Sequence, residues 1–338
     1  MYNMRGSRWA VFFELLCGKE SEVRMNEYRG KHASSVPWAV SSTASSHYRS
    51  RHLQRNHRRK SIIVFLLILA LILAAAPFLD PVLILQTDRV SLTSEDLPGD
   101  VGRLRVVYLT DVHYGFFFPD SRVGSLLATI NNLKPDLVIF GGDIGDSPED
   151  AIDFFRRVSS LHVRYAMLGV LGETDHGEDD VKRSMVTDAM RDAGVIPLVN
   201  EVASVRIGGT STVYVAGLDD VRSGKPALSA LAARTSAEDF VIFVSHNPSV
   251  IPESQRVTDR NGRLGWFDLA LFGHTHGGQI RGLSGLLDIA GDVEDRYQSG
   301  WLTENRSSLL ISNGVGTSVI PARVFCPAQI HCIEISVP

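Results

Sequence analysis

The chain has 338 residues, 44% of them hydrophobic, and a formal net charge of −4 at neutral pH. This composition excludes disorder throughout and supplies enough apolar residues for one large core or two modest ones. The charge is unevenly distributed, because residues 1–60 contain twelve Lys or Arg against four Asp or Glu, about +8, which leaves about −12 for residues 61–338.

Residues 1–60 lack sustained periodicity, and this predicts a disordered basic arm on the cytoplasmic side of a membrane. An over-extended translation start, with Met25 as the true start, would explain the segment equally well. The following run, Ile62–Leu79, has eighteen residues without a charge, which is close to the length needed to cross a bilayer. We therefore predict a transmembrane signal anchor over residues 61–79.

The charges that flank the anchor predict its orientation. Basic residues precede it and Asp80 follows it, so the positive-inside rule predicts a single-pass membrane protein whose N-terminus is cytoplasmic and whose remainder is exported to the periplasm or cell exterior. A signal peptide cleaved at Ala74-Ala75-Ala76 is the alternative, which Pro77 at the new N-terminus disfavours.

Residues 80–103 are predicted to be a juxtamembrane connector with one strand, Val82–Leu85. From Leu104 to the end, short apolar runs alternate with helical patterns, and this alternation predicts an α/β domain over residues 104–338. Five runs are nearly all apolar, as expected of strands covered on both faces: Arg105–Leu109, Leu137–Phe140, Tyr165–Leu171, Val241–Val244 and Leu269–Phe272.

Other local patterns predict helices and a hairpin between these strands. Apolar residues at helical spacing end at Leu133, and a second helix begins with Ser147 as N-cap and Pro148 at the first position. A third helix is predicted around Asp179–Asp192. Two β runs on either side of Gly208-Gly209 predict a hairpin of Val202–Ile207 with Thr212–Ala216.

A polar cluster follows each of the five apolar strands. The clusters are Asp111-Val-His113, Gly141-Gly-Asp143-Ile-Gly-Asp146, Gly172-Glu-Thr-Asp-His-Gly177, Ser245-His246-Asn247 and Gly273-His274-Thr-His276. Each alone is compatible with an ordinary turn, but strand ends of an α/β sheet are where ligands bind, so the clusters can converge. Carboxylates and imidazoles suit divalent Mn, Fe, Zn or Co. Their number exceeds the need of one ion and predicts two divalent metal ions, an arrangement used in phosphoester displacement.

These motifs resemble the signature of the calcineurin-like metallophosphoesterases. Within that superfamily, the sequences "GHTHGGQ" at 273–279 and "GVGTS…PARVFCP" at 314–327 resemble the membrane-anchored bacterial branch, which includes phosphodiesterases and UDP-diacylglucosamine pyrophosphatases. The resemblance covers roughly residues 80–337. It implies a four-layer αββα sandwich with two mixed β-sheets and a dinuclear metal centre.

The resemblance also implies roles for individual residues. One ion would be bound by Asp111, His113, Asp143 and His276, and the other by the bridging Asp143, by His246 and His274, and by a residue of the third cluster. A hydroxide held between the ions would attack phosphorus, so Asp143 and His246 would act in catalysis as ligands and no protein nucleophile is required. Asp146 is expected to orient a ligand or to close the turn.

The third cluster departs from the family pattern, which reads Gly-Asn-His followed by Asp or Glu. In this chain Glu173 takes the place of the Asn ligand and Thr174 the place of the His. Threonine cannot supply a proton near neutral pH, so a general-acid contribution of about 10²–10⁴-fold is expected to be missing. A second register makes Asp175 the ligand and His176 the acid, at the cost of two extra residues. Glu173 is the preferred ligand.

The resulting expectation is a membrane-anchored, metal-dependent phosphoesterase that hydrolyses a phosphodiester or pyrophosphate bond, with a lipid-linked substrate as one option and no nucleic-acid partner. The aromatic run Tyr114–Pro119 is either ordinary packing or a wall for an acyl chain, and Arg281–Tyr297 is a second candidate specificity element. Two rival hypotheses are a catalytically weakened or inactive binding protein of the same fold and a lipid-surface scaffold that uses the arm and the anchor.

Overall fold

The computed structural model describes residues 60–76, 85–177, 179–280 and 291–338. The chain divides into two units, Met1–Val64 and Phe65–Pro338. Residues 60–76 form a helix whose apolar side chains are largely exposed. Within the described part of the chain, no helix has both the length and the apolar character required to cross a membrane. The predicted arm lies outside the described residues except for Lys60, and so do residues 77–79 of the predicted anchor.

Strands and helices alternate along much of the domain. The strands are β1 Leu85–Thr93, β2 Arg103–Leu109, β3 Leu137–Phe140, β4 Ala166–Gly169, β5 Val195–Pro197, β6 Glu201–Ile207, β7 Ser211–Gly217, β8 Val241–Val244, β9 Leu269–Phe272, β10 Gly300–Glu304, β11 Ser307–Ile311 and β12 Ala328–Ser336. The helices are α1 Asp120–Leu133, α2 Pro148–Val158, α3 Glu173–His176, α4 Asp180–Asp192, α5 Leu228–Ala232 and α6 Ile251–Ser254.

The strands form two mixed six-stranded sheets, as predicted. The first has the order β1-β12-β2-β3-β4-β5, in which only β12 and β2 are antiparallel. The second has the order β10-β11-β9-β8-β7-β6, with antiparallel pairs at its two edges. The parallel centre of each sheet explains the continuous apolar runs, since such strands are covered on both faces.

Three apolar layers hold the domain together. Alternate residues of β2 face opposite sides, so that Val107 packs with the helices α1, α2 and α4 while Val106 packs against the second sheet. On the outer face of the second sheet, Phe243 packs with residues of α5 and α6, such as Leu231 and Ile251. The order helix, sheet, sheet, helix is the predicted four-layer sandwich.

Most predicted elements are confirmed, with shifted ends. The strands Leu137–Phe140, Val241–Val244 and Leu269–Phe272 occur as predicted, and β6 pairs with β7 as the predicted hairpin. Ser147 caps α2 by accepting a hydrogen bond from Asp150 N–H. The strand predicted at Tyr165–Leu171 is shorter, because its neighbour β3 offers only four residues for pairing.

The segment predicted to be a connector contains a full strand of the first sheet. β1 pairs in parallel with β12 along its whole length, from Leu85 with Ala328 to Thr93 with Ser336. The predicted strand Val82–Leu85 overlaps it only at Leu85, and residues 82–84 lie outside the described part of the chain. Residues 85–93 are therefore part of the sheet that carries the site.

Candidate metal centre

The polar clusters lie where the strands of the two sheets end. Gly141 N–H donates to Leu109 O, so the loops after β2 and β3 run side by side. Gly273 N–H donates to His246 O and joins the loops after β8 and β9. His246 Nδ1 lies 2.9 Å from Gly141 O and thereby connects the two sheets. Convergence follows because neighbouring parallel strands end at the same edge.

Predicted ligands in these loops have an unusual backbone conformation. The φ angles are 50° at Asp111, 47° at His113, 49° at Asp143, 68° at His274 and 49° at His276. A non-glycine residue in this left-handed region costs of the order of 1 kcal/mol or more, and such residues cluster at binding sites. Backbone hydrogen bonds from Asp111 N–H to Gly142 O and from His113 N–H to Asp143 O hold the loops in place.

Asp111, His113 and His276 form one group with the spacing of metal ligands. Their ligand atoms lie within 4.8 Å of one another, and all three residues are buried. His113 Nε2 lies 3.1 Å from His276 Nε2, and His276 Nε2 lies 3.5 Å from Asp111 Oδ1. Two ring nitrogens and a carboxylate oxygen thus face a common point, which is the donor set of a transition-metal site.

A second group joins Asp111, Asp143 and His246 with the same spacing. His246 Nε2 lies 3.3 Å from Asp143 Oδ2 and 3.9 Å from Asp111 Oδ1. Asp143 Oδ2 is also 3.8 Å from His113 Nε2, so it faces a histidine of each group. A carboxylate placed between two donor sets can bridge two ions. The bridging role of Asp143 stays a prediction, since Asp111 also belongs to both groups.

Hydrogen bonds on the far side of two imidazoles set their orientation. His113 Nδ1 lies 3.1 Å from Asp146 Oδ1, which places Asp146 in the orienting position that the sequence predicted. His246 Nδ1 faces the carbonyl of Gly141, which can only accept, so Nδ1 carries the proton. In both residues Nε2 is left to face the cluster, the arrangement typical of metal-binding histidines.

Two buried imidazole nitrogens have no hydrogen-bond partner in the described part of the chain: His246 Nε2 and His274 Nε2. Buried polar atoms are nearly always paired, and each exception needs an explanation such as an ion. The donor set of carboxylates and imidazoles has the chemistry that divalent transition metals require. The residues present therefore fit the metal centre implied by the sequence.

Burial and neighbouring charges perturb the titration of these groups. Burial lowers the pKa of His276 well below its usual value, with the charge of His113 adding to the effect, and burial followed by the charge of His246 lowers the pKa of His274 to about 4. Burial opposes ionisation of Asp143, but the charge of His246 holds its pKa well below the usual range. In spite of burial, the charge of Asp143 raises the pKa of His246 and the hydrogen bond with Asp146 raises the pKa of His113. Neutral His274 and His276 are therefore ready to bind a cation, whereas His113 and His246 would release a proton when a cation binds.

Glu173, the preferred ligand of the third cluster, lies outside both groups. Its carboxylate forms a 2.9 Å ion pair with Arg222, and 50% of its side chain is exposed. Its neighbour Thr174 contacts the cluster instead, because the Thr174 backbone N–H donates to Asp143 Oδ1 at 2.9 Å and the hydroxyl lies 3.0 Å from the same oxygen. The threonine therefore orients a predicted ligand.

Asp175 and His176, the ligand and the acid of the second register, lie outside both ligand groups. Asp175 is buried and accepts hydrogen bonds from the backbone N–H groups of Ile144, Gly145 and Gly172. Burial, and then the charge of Asp143, raise the pKa of Asp175 to about 6. The His176 ring is also buried, and its Nε2 lies 2.8 Å from Asp219 Oδ1. Both side chains thus hold loops together behind the site.

Three residues that the sequence did not predict lie near His246 and His274. Asp292 Oδ1 is 3.6 Å from His274 Nε2, and Arg222 Nε is 3.6 Å from Asp292 Oδ2. Asp220 is buried, and its Oδ1 has no hydrogen-bond partner in the described ranges. The position of Asp220 after β7 could have been recognised from the strand-end rule, whereas Asp292 had no local signal beyond the candidate specificity element that contains it.

Comparisons with known proteins agree with this geometry. A family model described as calcineurin-like phosphoesterase matches residues 104–278. The chain is 26% identical over 266 residues to the metallophosphoesterase YkuE of Bacillus subtilis, covering 75% of this chain and 86% of that protein. It is 27% identical over 242 residues to the phosphodiesterase YaeI of Escherichia coli, covering 68% and 82%.

Two further similarities complete the comparison. The transmembrane protein with metallophosphoesterase domain of Danio rerio is 25% identical over 253 residues, covering 71% of this chain and 55% of that protein. Among solved structures, the phosphopantetheinyl hydrolase PptH of Mycobacterium tuberculosis superposes with a TM-score of 0.40 and 10% identity, covering 63% of this chain and 91% of that one.

Proposed function

Because this chain belongs to the calcineurin-like phosphoesterase family, we propose that it hydrolyses a phosphodiester or pyrophosphate bond with the help of two divalent metal ions. The observation that carries the proposal is the pair of buried ligand groups that share Asp111. When bound, the ions supply an activated water as nucleophile and neutralise phosphate charge. The similarity to a relative named phosphodiesterase supports a diester substrate.

The protein's own contribution is to hold these groups in place before substrate arrives. Asp143 is fixed by Thr174 on one oxygen and faces His246 with the other. His113 is oriented by Asp146, and His246 by Gly141 O. Such preorganisation means that little rearrangement is needed during reaction, which is where electrostatic catalysis gains most.

Thr174 restricts the substrate class. It occupies the position where the family has a histidine acid, and its hydroxyl is engaged with Asp143 Oδ1 and Gly145 O, at 3.0 and 2.7 Å. A leaving group that needs no proton is therefore favoured. The phosphate leaving group of a pyrophosphate, or an acidic alcohol, meets this requirement better than a simple alkoxide.

A membrane location is part of the proposal. The charge pattern around residues 61–79 supports a single-pass anchor with an exported domain. β1 starts at Leu85, beside Ala328, at the end of the sheet that carries the site. The six peptide steps from Leu79 to Leu85 reach at most about 20 Å. An anchor at residues 61–79 would thus keep the site near the bilayer.

Exposed apolar side chains around the same edge support a lipid-linked substrate. Phe116 and Phe325 are 86% and 83% exposed. Phe118, in contrast, is buried and lies under the Arg122 guanidinium at 4.1 Å, so it is ordinary packing. Of the predicted wall Tyr114–Pro119, Phe116 is thus the exposed aromatic residue that could contact an acyl chain, and we add Phe325 to it. Phe116→Ser should slow hydrolysis of an acylated pyrophosphate in mixed micelles, whereas Leu264→Ser, at another exposed apolar residue, should not.

The test of the proposed activity uses the full chain in detergent. Metal content is measured first, followed by hydrolysis of bis(p-nitrophenyl) phosphate with and without Mn²⁺. Wild-type protein should hydrolyse this diester only when Mn²⁺ is present. Asp143→Asn should reduce the turnover rate by at least about 10³-fold, as expected when a metal bridge is lost. Asp188→Asn, an exposed helix residue paired with Arg191, is the matched control.

The alternative function is that of a catalytically inactive binding protein, which the altered third cluster favours. Glu173 is paired with Arg222 and is not part of either ligand group, and Thr174 replaces an acid. A binding protein that retains its ions would show bound metal and no turnover of any phosphoester. That result would reject hydrolysis, and equal phenotypes for wild type and Asp143→Asn would instead favour a scaffold.

A further inference from the structure

The second predicted ion lacks an oxygen ligand from the third cluster. His246 and His274 each present an unpaired, buried Nε2 within the described part of the chain, and their rings are 5.4 Å apart between centroids. The carboxylate that the sequence preferred for this place, Glu173, is paired with Arg222 instead. Zinc-like ions usually take four ligands, of which Asp143, His246 and His274 would supply three, so an oxygen near His274 is a candidate for the fourth.

Asp292 is placed to supply that oxygen. Its Oδ1 lies 3.6 Å from His274 Nε2, the nitrogen without a hydrogen bond among the described residues. Its Oδ2 accepts a hydrogen bond from Asn247 Nδ2 at 2.9 Å. Asn247 therefore holds Oδ2 of Asp292, while Oδ1 faces His274.

The orientation of the Asn247 amide is determined by a second contact. Asn247 Oδ1 accepts a hydrogen bond from Ser249 N–H at 2.8 Å, at the start of a short 3₁₀ helix. The amide oxygen is thus engaged, so the NH₂ group must be the one that faces Asp292. Because Asn247 directly follows His246, one loop carries a predicted ligand and orients the proposed one.

The contacts of Asp292 leave one oxygen directed at His274. Arg222 lies on the Oδ2 side, 3.6 Å away, and leaves Oδ1 to face His274. The side chain is 34% exposed, so substitution there does not open the core.

From these contacts we propose that Asp292 is an oxygen ligand of the ion held by His246 and His274, in the place that the family gives to asparagine. The inference rests on the proposed function in that both need bound metal. Asp292 comes from a segment far from the third cluster in sequence, so the ligand has moved to another loop. The rival oxygens are those of Glu173 and of the buried Asp220.

The experiment measures metal binding by the full chain in detergent, stripped by a chelator and titrated with Mn²⁺. Bound Mn²⁺ is counted by equilibrium dialysis, and electron paramagnetic resonance reports the coupling of a two-ion centre. The variants are Asp292→Asn, Asp292→Glu, Glu173→Gln and Asp220→Asn. Asp295→Asn, in the same segment and hydrogen-bonded to Gln298, is the matched control.

Wild type should bind two Mn²⁺ per chain with a coupled signal. Asp292→Asn should weaken the second Mn²⁺ at least about tenfold, the lower bound for losing even a supporting partner, and should abolish the coupled signal. Asp292→Glu should recover part of the binding. Glu173→Gln, Asp220→Asn and Asp295→Asn should bind as wild type does. Urea unfolding confirms that every variant is folded.

Two outcomes overturn the inference for different reasons. If Asp292→Asn binds both ions as wild type does, or if Glu173→Gln or Asp220→Asn loses the second ion instead, Asp292 is not the ligand and the proposed function is unaffected. If wild type binds no Mn²⁺, the proposed function fails and this inference fails with it.

Discussion

Thr174 contacts Asp143 twice, with its backbone N–H at 2.9 Å and its hydroxyl at 3.0 Å from the same carboxylate oxygen. The residue that stands in the place of a catalytic histidine is therefore used to hold a predicted ligand. The third cluster therefore contributes to the site by positioning Asp143, although it lacks the histidine acid of the family. Substitutions at Thr174 can test this positioning role.

Replacing Thr174 should reveal this positioning role. Thr174→Val keeps the shape but removes the hydroxyl, so turnover of an activated diester should fall about 10–100-fold, the range seen when a partner of a ligand is removed. Thr174→Ser should retain most of the activity. Equal rates for Thr174→Val and wild type would show that the backbone N–H alone is sufficient.

Substitution of His176 should affect stability more than turnover. Its buried Nε2 lies 2.8 Å from Asp219 Oδ1, so His176→Ala leaves a buried carboxylate without that partner. The expected loss is about 1–3 kcal/mol of unfolding free energy in urea, with turnover changed by less than about threefold, well below a general-acid effect. A turnover rate lowered by about two orders of magnitude at full stability would instead restore His176 as the acid.

Two glycine substitutions should differ sharply. A Cβ at Gly273 would collide with Thr110 and with the carboxylate of Asp111, so Gly273→Ala should displace Asp111 and weaken Mn²⁺ binding. Gly124, within α1, has open space around it, and Gly124→Ala should raise the free energy of unfolding by about 0.5–1 kcal/mol. Mn²⁺ titration and urea unfolding of both variants check this contrast.

Metal binding should stabilise the fold. A bound cation would hold the strained backbones of Asp111 and Asp143 in place. It would also give a partner to the Nε2 atoms of His246 and His274, which lack a hydrogen bond among the described residues. At a free Mn²⁺ concentration about 100 times Kd, one site adds about 2.7 kcal/mol, and Tm should rise accordingly. The check is thermal unfolding in Mn²⁺ and in chelator, with Asp143→Asn as the variant that should lose the shift.

Arg222 should contribute to substrate affinity. Its side chain is 40% exposed at the rim, between Glu173 and Asp292, and forms an ion pair with each. Arg222→Gln removes a guanidinium suited to phosphate oxygens. KM for an anionic diester should rise about twofold to fivefold with kcat nearly unchanged, because a partly exposed charge contributes at most about 1 kcal/mol. Arg256→Gln, on the segment after α6, is the control. A fall in kcat at constant KM would contradict the assignment.

Local patterns in the sequence were sufficient for most of the scaffold and for much of the site. The apolar runs predicted strands such as Val241–Val244, and the polar cluster after each strand predicted the six residues now found at one edge: Asp111, His113, Asp143, His246, His274 and His276. Periodicity and strand-end placement are local properties, so a single sequence carries them.

The roles within the third cluster and the position of Asp292 were decided only by the tertiary structure. Glu173 and Thr174 are adjacent in sequence, yet the first side chain meets Arg222 and the second meets Asp143. Asp292 Oδ1 lies 3.6 Å from His274 Nε2, although no sequence motif marked Asp292 as a ligand. Which way a side chain turns, and which distant loop comes close, depends on long-range packing and charge, and neither leaves a periodic signal in the sequence.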